Sequence, residues 1–340
     1  MREAFGATFD VPDGYLNTPS IGAPPTTVAA AVEDTLVRWR RGLDTPADFD
    51  GAVHAARVGF AQLVGVPADR VAIGASASQV VSMVAAGLPE GARVLTAERE
   101  FTSVTFPFAA RPGVSVDEVP LSELPGVLTG YDLVAVSVAQ SADGALVDLD
   151  ALREAAERVD VPVLLDVTQA AGWIPLDLAW ADWVACAGYK WLLAPRGVAW
   201  LAVHPRAHER TVPVAANWYA GEDPWDTTYG LPLRLASDAR AFDLSPAWLA
   251  FTGAAVSVPY LAGLDLTEVR EHCVGLADGL LERLGLPGRG SAIVTIGSDD
   301  AAQRLAAAGV VASVRDGKVR VGFHLYNTAD DVERVVSALA

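Results

Sequence analysis

The feature that most restricts the fold of this chain is an alternation, beginning near residue 70, of short apolar runs with helical stretches. Several runs are continuously apolar, which is typical of strands buried on both faces of a parallel sheet. Stretches between them, such as 78–87 and 149–159, favour helices. The pattern therefore predicts an α/β sheet with helices on both faces. The expected strands are 70–76, 92–98, 114–120, 133–140, 161–168, 183–188 and 197–204.

A different pattern begins near residue 240, where long helical stretches precede a hairpin-like segment at 310–324 and a closing helix. It predicts a second, smaller α+β domain. The uncharged run 244–264 is long enough to span a membrane. Because it contains Pro259 and lacks flanking Lys or Arg, we expect a buried helix pair and no membrane partner. The expected division is a large domain at 16–240 and a small domain at 1–15 and 241–340.

Charge and cysteine content exclude several kinds of partner. A net charge of −17 leaves no basic patch for a phosphate backbone, so nucleic acid is not expected. The two cysteines, Cys186 and Cys273, make neither a disulfide framework nor a metal cluster. The N-terminus lacks the apolar core of a signal peptide. These observations favour a cytoplasmic protein without a metal site.

Polar residues follow several expected strands, where ligands bind in open α/β sheets. The segment GASAS at 74–78 places hydroxyls before a helix, where free N–H groups favour a phosphate; an ordinary turn is the alternative. Asp166 ends an apolar run, and a buried carboxylate needs a partner, either a ligand or a group of the protein itself. Gln169 can present a donor to the same space.

Lysine is rare in this chain: among 25 basic residues only Lys190 and Lys318 are lysines. Lys190 lies among apolar residues, after the strand that follows Asp166. A lysine desolvated there has a lowered pKa and can attack a carbonyl, which an arginine cannot do. A surface lysine that extends its amine to solvent is the alternative.

A phosphate site, a buried carboxylate, an amide and a nucleophilic lysine together meet the needs of pyridoxal 5′-phosphate (PLP). Its phosphate binds at a helix N-terminus, its ring nitrogen pairs with a carboxylate, and its aldehyde bonds to a lysine. We therefore expect PLP as the cofactor.

Two segments, DVTQAAG at 166–172 and AGYKWLLAPRGVAWLAV at 187–203, resemble the class V aminotransferase family of fold-type I PLP enzymes. This family includes cysteine desulfurases, kynureninases, isopenicillin epimerase-like proteins and C–S lyases. The resemblance covers nearly the whole chain, including 15–25 and 319–336. It implies a mostly parallel seven-stranded sheet, a homodimer with shared active sites and a small amino-acid substrate.

The same resemblance implies a role for each matching residue. Lys190 would bond the cofactor and move protons at the substrate α-carbon. Asp166 would pair with the ring nitrogen, and Gln169 would donate to the 3-oxygen. Arg320 would bind the substrate α-carboxylate through two hydrogen bonds.

Further contacts follow from the resemblance with weaker sequence support. The implied cofactor contacts are Ser76 and the Ala77 backbone at the phosphate, Phe101 on the ring face, Ser141 beside the ring, and Tyr189, whose phenol would reach the phosphate as in kynureninases. Ser245 would reach a phosphate site, in its own or the partner subunit. The implied substrate contacts are Asn17, Thr18 and Trp218 of the aromatic loop 217–229. His324 is open between an active-site role and a packing role.

For the reaction, we expect aminotransferase-type chemistry at the α-carbon. A β-eliminating C–S lyase is the first alternative, and a kynureninase-like hydrolase or an epimerase is less favoured. A cysteine desulfurase is disfavoured because no cysteine lies on a catalytic loop before Arg320. A non-catalytic scaffold would have no use for Asp166, Lys190 and Arg320 together. A nucleotide-binding protein is disfavoured because neither a Walker nor a GxGxxG pattern is present.

Overall fold

A computed structural model of the chain describes residues 1–297 and 300–340, and these contain nine α-helices and twelve β-strands. The helices are α1 (Thr26–Trp39), α2 (Asp50–Val64), α3 (Ala77–Ala86), α4 (Thr102–Ala109), α5 (Leu149–Val159), α6 (Trp248–Ala262), α7 (Leu266–Arg283), α8 (Ala301–Ala307) and α9 (Ala329–Leu339). The strands are β1 (Arg2–Ala4), β2 (Ala7–Phe9), β3 (Val71–Gly74), β4 (Arg93–Ala97), β5 (Ser115–Val119), β6 (Leu133–Ser137), β7 (Val163–Asp166), β8 (Trp183–Ala187), β9 (Ala199–Val203), β10 (Ile293–Ile296), β11 (Ser313–Arg315) and β12 (Lys318–Gly322).

The central sheet joins seven of the described strands in the order β3-β9-β8-β7-β6-β4-β5. Strand β9 runs antiparallel to both of its neighbours, and the other neighbouring pairs are parallel. Each strand expected from the continuous apolar runs is confirmed, although every one is shorter than its run. The sheet is therefore mostly parallel, as expected.

Both faces of this sheet are buried under helices. Adjacent residues of β7 point into different apolar cores: Leu165 packs with Phe60 of α2 and Phe251 of α6, whereas Leu164 packs with the helices α3 and α4 on the opposite face. This arrangement explains the continuous apolar runs, because alternate side chains of a strand point to opposite faces.

A third apolar core lies between helices α7, α8 and α9 and the antiparallel sheet β10-β12-β11. Strands β11 and β12 confirm the expected hairpin, and β10 is a third strand that the sequence pattern did not indicate. The division of the chain at residue 240 stays a prediction. Phe251 and Val258 of α6, which follow that point, pack in the same core as the large sheet.

The uncharged run 244–264 contains one helix, α6, and not the expected pair. The residues of this run before Trp248 are not helical, and the Leu244 N–H donates to the Ile73 carbonyl of β3. Among the described residues, no single helix is long and apolar enough to cross a membrane. Helices α6 and α7 reach that length only together, and they meet at 92°.

Candidate active site

A cavity of about 180 Å³ opens at the carboxyl ends of the central strands. It is lined by residues that follow β3, β4, β6, β7 and β8, the strand ends at which the sequence analysis expected a ligand. The predicted site residues that line it are Ser76, Ala77, Phe101, Ser141, Asp166, Gln169, Tyr189 and Lys190.

The Lys190 side chain is buried, only 5% exposed, and its amine faces this cavity. The Nζ atom lies 4.9 Å from the centroid of the Phe101 ring and 5.7 Å from that of Tyr189. Burial lowers the pKa of Lys190 to about 8; the charge of Asp166 opposes this shift, and the charge of Arg320 adds to it. With a pKa of about 8, roughly one-tenth of Lys190 is the free amine at pH 7, which is the form that attacks a carbonyl and is far scarcer in an exposed lysine.

Asp166 is the last residue of β7, and its carboxylate is buried against the same cavity. Burial raises the pKa of Asp166, whereas hydrogen bonds from Thr168 and the charge of Lys190 act in the opposite direction. The Thr168 N–H donates to Asp166 Oδ1 at 2.7 Å, and the Thr168 hydroxyl accepts from the Ala187 N–H at 3.0 Å. Sequence reasoning missed Thr168, although it lies between the two polar residues that were singled out.

Hydrogen bonds hold the side-chain amide of Gln169 in one orientation. Its Nε2 donates to the Pro19 carbonyl at 3.0 Å and to Ser141 Oγ at 3.1 Å, and its Oε1 accepts from Trp191 Nε1 at 2.7 Å. Since an amide has two N–H donors, both are in use. A donation from Gln169 to a bound ligand therefore has to replace one of these two bonds.

The N-terminus of α3 forms one end of the cavity. Ser76 caps this helix, its Oγ accepting from the Gln79 N–H at 3.4 Å, and Ser76 Oγ lies 3.2 Å from Ser78 Oγ. Arg196, which the sequence analysis did not single out, also lines the cavity, and its Cζ lies 5.1 Å from the Tyr189 ring centroid. Free backbone N–H groups, hydroxyls and a guanidinium together favour an anionic group here.

Phe101 is held in place by its neighbour Glu100, a buried carboxylate that accepts four hydrogen bonds. The donors are the N–H of Phe101 at 2.8 Å, the N–H and hydroxyl of Ser137, and the Gln140 amide at 3.1 Å. Burial raises the pKa of Glu100, and the bonds from Ser137 and Phe101 oppose that shift. Sequence reasoning did not assign Glu100 this anchoring role.

Arg320 projects from β12 and is buried beside the cavity. Its Nη1 donates to the carbonyl of Ser141 and to Ser141 Oγ at 3.0 Å, Nη2 donates to Ser20 Oγ at 3.0 Å, and Nε donates to Ser313 Oγ at 3.2 Å. Burial lowers the pKa of Arg320 to about 10, and the charge of Arg315 adds to this effect. Ser141 thus links Arg320 to Gln169, although 179 residues separate Ser141 from Arg320.

Besides Arg320 and Thr18, three predicted contacts lie outside the cavity lining. Trp218 packs against Tyr219 and Trp225, and these two residues bond to Asp50 of α2. Ser245 is exposed in the segment before α6. Asn17 lies beside β12, where its Oδ1 atom is buried with no hydrogen-bond partner among the described residues.

Two further candidates have packing roles in this chain. The Thr18 hydroxyl bonds to the Tyr326 hydroxyl. Burial lowers the pKa of His324 to about 4, so its imidazole is neutral. Since its Nδ1 accepts from the Leu325 N–H, its Nε2 donates to the Trp191 carbonyl at 2.9 Å. His324 therefore supports the segment that follows Lys190.

The family model described as aminotransferase class-V matches residues 39–303. The chain belongs to the class V aminotransferase family. It is therefore an enzyme of the aminotransferase or lyase type whose cofactor is PLP, and its fold is that of fold-type I PLP enzymes.

Relatives within this family differ in the reaction that their names state. The chain is similar to isopenicillin N epimerase of Amycolatopsis lactamdurans, with 30% identity over 335 residues that cover 84% of this chain and 83% of the relative. It is also similar to the uncharacterized aminotransferase YcbU of Bacillus subtilis, with 26% identity over 310 residues that cover 84% and 82% of the two chains.

A solved structure of the cystine C–S lyase C-DES, in complex with its product cysteine persulfide, has the same fold. Its TM-score is 0.86 at 20% sequence identity, and the match covers 96% of this chain and 97% of that chain. At this identity the likeness concerns the fold alone.

Proposed function

We propose that the protein is a homodimeric PLP enzyme of the aminotransferase type that removes the α-proton of a small amino acid, with Lys190 as the catalytic residue. One observation carries this proposal. A buried lysine amine with a lowered pKa shares one cavity with the Asp166 carboxylate and with the N-terminus of α3, and Arg320 lies beside it. If Lys190 were a surface lysine, Asp166 a packing residue and the segment before α3 an ordinary turn, nothing would bring all three to one cavity.

The cavity fits PLP in three respects. Asp166 offers a buried carboxylate to a ring nitrogen, the α3 N-terminus with Ser76 and Ala77 offers donors to a phosphate, and Lys190 offers an amine to an aldehyde. The position of Phe101, 4.9 Å from Lys190 Nζ, allows its ring to cover one face of the cofactor. When bound, PLP supplies an electron sink for the negative charge that develops at the substrate α-carbon.

Each residue of the site then has a definite task. The Arg320 guanidinium binds the substrate carboxylate, exchanging bonds to the hydroxyls of Ser20 and Ser141 for charge-assisted ones. Asp166 would hold a proton on the ring nitrogen of bound PLP. The Lys190 amine would accept the proton from the substrate α-carbon, since burial lowers its pKa to about 8 and so makes the free amine available.

The burial of both cysteines supports a reaction that does not use a cysteine, and their unpaired state supports a cytoplasmic location. Both cysteines are free and buried, Cys186 in β8 and Cys273 in α7, and burial raises the pKa of each thiol. Neither presents a mobile thiolate that could accept sulfur, so we do not propose cysteine desulfurase activity. Unpaired cysteines are also usual in a reducing compartment.

Exposed apolar side chains in the segment 212–233 support the proposed homodimer. They are Val212, Val214, Trp225, Tyr229, Leu231 and Leu233. An apolar surface of this kind is typical of a contact with another protein. We propose that a second copy covers it, and that Ser245 and Trp218, which do not reach their own cavity, contribute to the partner's site.

The proposal is tested first by the covalent bond. The purified protein should be yellow, and borohydride should attach the cofactor to Lys190, as peptide mass spectrometry would show. The chain offers a matched control, because Lys318 is its other lysine. Lys318→Gln should keep the reducible bond and Lys190→Ala should lose it. A colourless protein unaffected by PLP would refute the proposal.

A panel of amino acids then separates the reactions. Accumulation of pyridoxamine phosphate without loss of the side chain indicates transamination, which we expect. Pyruvate and ammonia released without an acceptor indicate β-elimination. Inversion at the α-carbon indicates epimerisation, the reaction named for the relative with 30% identity.

A further inference from the structure

Two arginines of the β11–β12 hairpin reach the same serine hydroxyl. Arg320 Nη2 donates to Ser20 Oγ at 3.0 Å, and Arg315 Nη2 lies 3.5 Å from the same oxygen. The two guanidinium nitrogens are therefore no more than 6.5 Å apart, the two distances taken together. Arg320 is buried, whereas Arg315 is exposed at the solvent side of the same cluster.

Neither guanidinium forms a salt bridge with a carboxylate in the part of the chain that the structure describes. Arg315 donates to the carbonyl of its neighbour Val314 at 2.7 Å, and Arg320 donates only to serine oxygens. The nearby acidic residue of the hairpin turn, Asp316, pairs instead with Arg99. The two positive charges thus lie close together, and neither is paired with a carboxylate. They repel each other, and an anionic ligand bound between them would relieve this repulsion.

Both charges also act on the reacting group. The charges of Arg320 and Arg315 each contribute to lowering the pKa of Lys190, after the larger effect of burial. Both guanidinium groups are therefore near enough to the amine to influence its charge. Because the two groups meet at the Ser20 hydroxyl, a ligand bound to Arg320 lies within reach of Arg315.

We infer that the substrate is an amino acid with a second anionic group, whose α-carboxylate binds Arg320 and whose side-chain carboxylate binds Arg315. This inference rests on the proposed function. In a dicarboxylic amino acid of four or five carbons the two carboxylates are roughly 4–6 Å apart, which is within the upper limit of the separation between the two guanidinium groups. Arginine suits both contacts because its planar fork binds carboxylates through two hydrogen bonds.

Isosteric pairs of amino acids test the inference on the holoenzyme. Glutamate and glutamine, and aspartate and asparagine, have nearly the same shape and differ by one charge. We expect kcat/KM to favour the acid of a pair by about 10-fold or more, and Arg315→Gln to remove most of this preference. A binding readout independent of turnover is calorimetry with glutarate and its monoamide, which should show the same difference and the same loss.

Lys318→Gln is the matched control, because it removes one positive charge from the same hairpin. Lys318 opposes Arg315 in the strand pairing and its side chain lies near Gly297; unlike Arg315 and Arg320, it has no hydrogen bond to Ser20 in the part of the chain that the structure describes. This variant should keep the preference for the acid. Equal use of the acid and the amide by the wild-type enzyme, or an unchanged preference in Arg315→Gln, would overturn the inference and leave the proposed function standing. If no amino acid changes the absorbance of the bound cofactor, the proposed function itself fails.

Discussion

Gly22 lies directly against the backbone of Lys190, the residue for which we propose the catalytic role, and replacing Gly22 by alanine should displace this lysine. The Gly22 N–H donates to the Tyr189 carbonyl at 3.0 Å. A Cβ atom at residue 22 would be 2.7 Å from Leu193 Cδ2 and 3.0 Å from the Lys190 carbonyl carbon, and closer still to the Lys190 carbonyl oxygen. The φ angle of Gly22 is not in the left-handed region, so an alanine is opposed by these contacts alone.

The size of the effect follows from the required shift. Carbon atoms in contact are normally about 3.5–4.0 Å apart, so the two segments must separate by roughly 1 Å. Overpacking of this kind costs about 1–3 kcal/mol of stability. A misplacement of about 1 Å can lower the rate of a catalytic step by about 100-fold. We expect Gly22→Ala to lower turnover by one to two orders of magnitude on this basis.

The assay is exchange of the substrate α-proton with deuterium, followed by NMR, together with the fraction of cofactor fixed by borohydride. Gly275→Ala in α7 is the control, because a Cβ there meets no atom within 4 Å. It should exchange protons at the wild-type rate and be as stable as the wild type or up to about 1 kcal/mol more stable. Normal exchange and normal thermal stability in Gly22→Ala would refute the reasoning.

Three further predictions concern the surroundings of the cavity. Burial lowers the pKa of Lys190 to about 8, so the rate at which the cofactor-free protein captures PLP should rise with pH through about 8 and then level off. Stopped-flow absorbance measures this rate, and a midpoint near pH 10.5 would contradict the prediction. Glu100→Gln leaves one acceptor oxygen in place of the two that accept from the backbone N–H groups of Phe101 and Ser137, so one of these buried N–H groups loses its acceptor. Denaturant unfolding should show a loss of about 2–4 kcal/mol, whereas the exposed Glu98→Gln should show none. Trp191→Phe removes the indole N–H that donates to the buried Gln169 amide, so it should lower the free energy of unfolding by about 1–3 kcal/mol and shift the absorbance of the bound cofactor. The exposed Trp39→Phe should change neither measurement.

Local sequence patterns were sufficient to predict the central sheet and the polar residues that follow its strands. Continuous apolar runs mark strands buried on both faces, since each residue has to suit the face to which it points. Asp166 and Lys190 could be singled out because a carboxylate at the end of an apolar run and a rare lysine among apolar residues are unusual on their own. By contrast, the short strand β10 and the single helix in 244–264 depend on packing partners that a local pattern does not contain.

What the sequence by itself determined is therefore the α/β class, the strand ends and the residue types that PLP requires. Only the tertiary structure decided how these residues are held. Glu100 accepts a hydrogen bond from the Phe101 N–H, Trp191 donates to Gln169, and Arg315 and Arg320 meet at one serine. The physical reason is that hydrogen bonds and charges act over a few ångströms in space. Partners such as Ser141 and Arg320 are 179 residues apart in the chain and meet only because the folded chain places the hairpin beside the sheet.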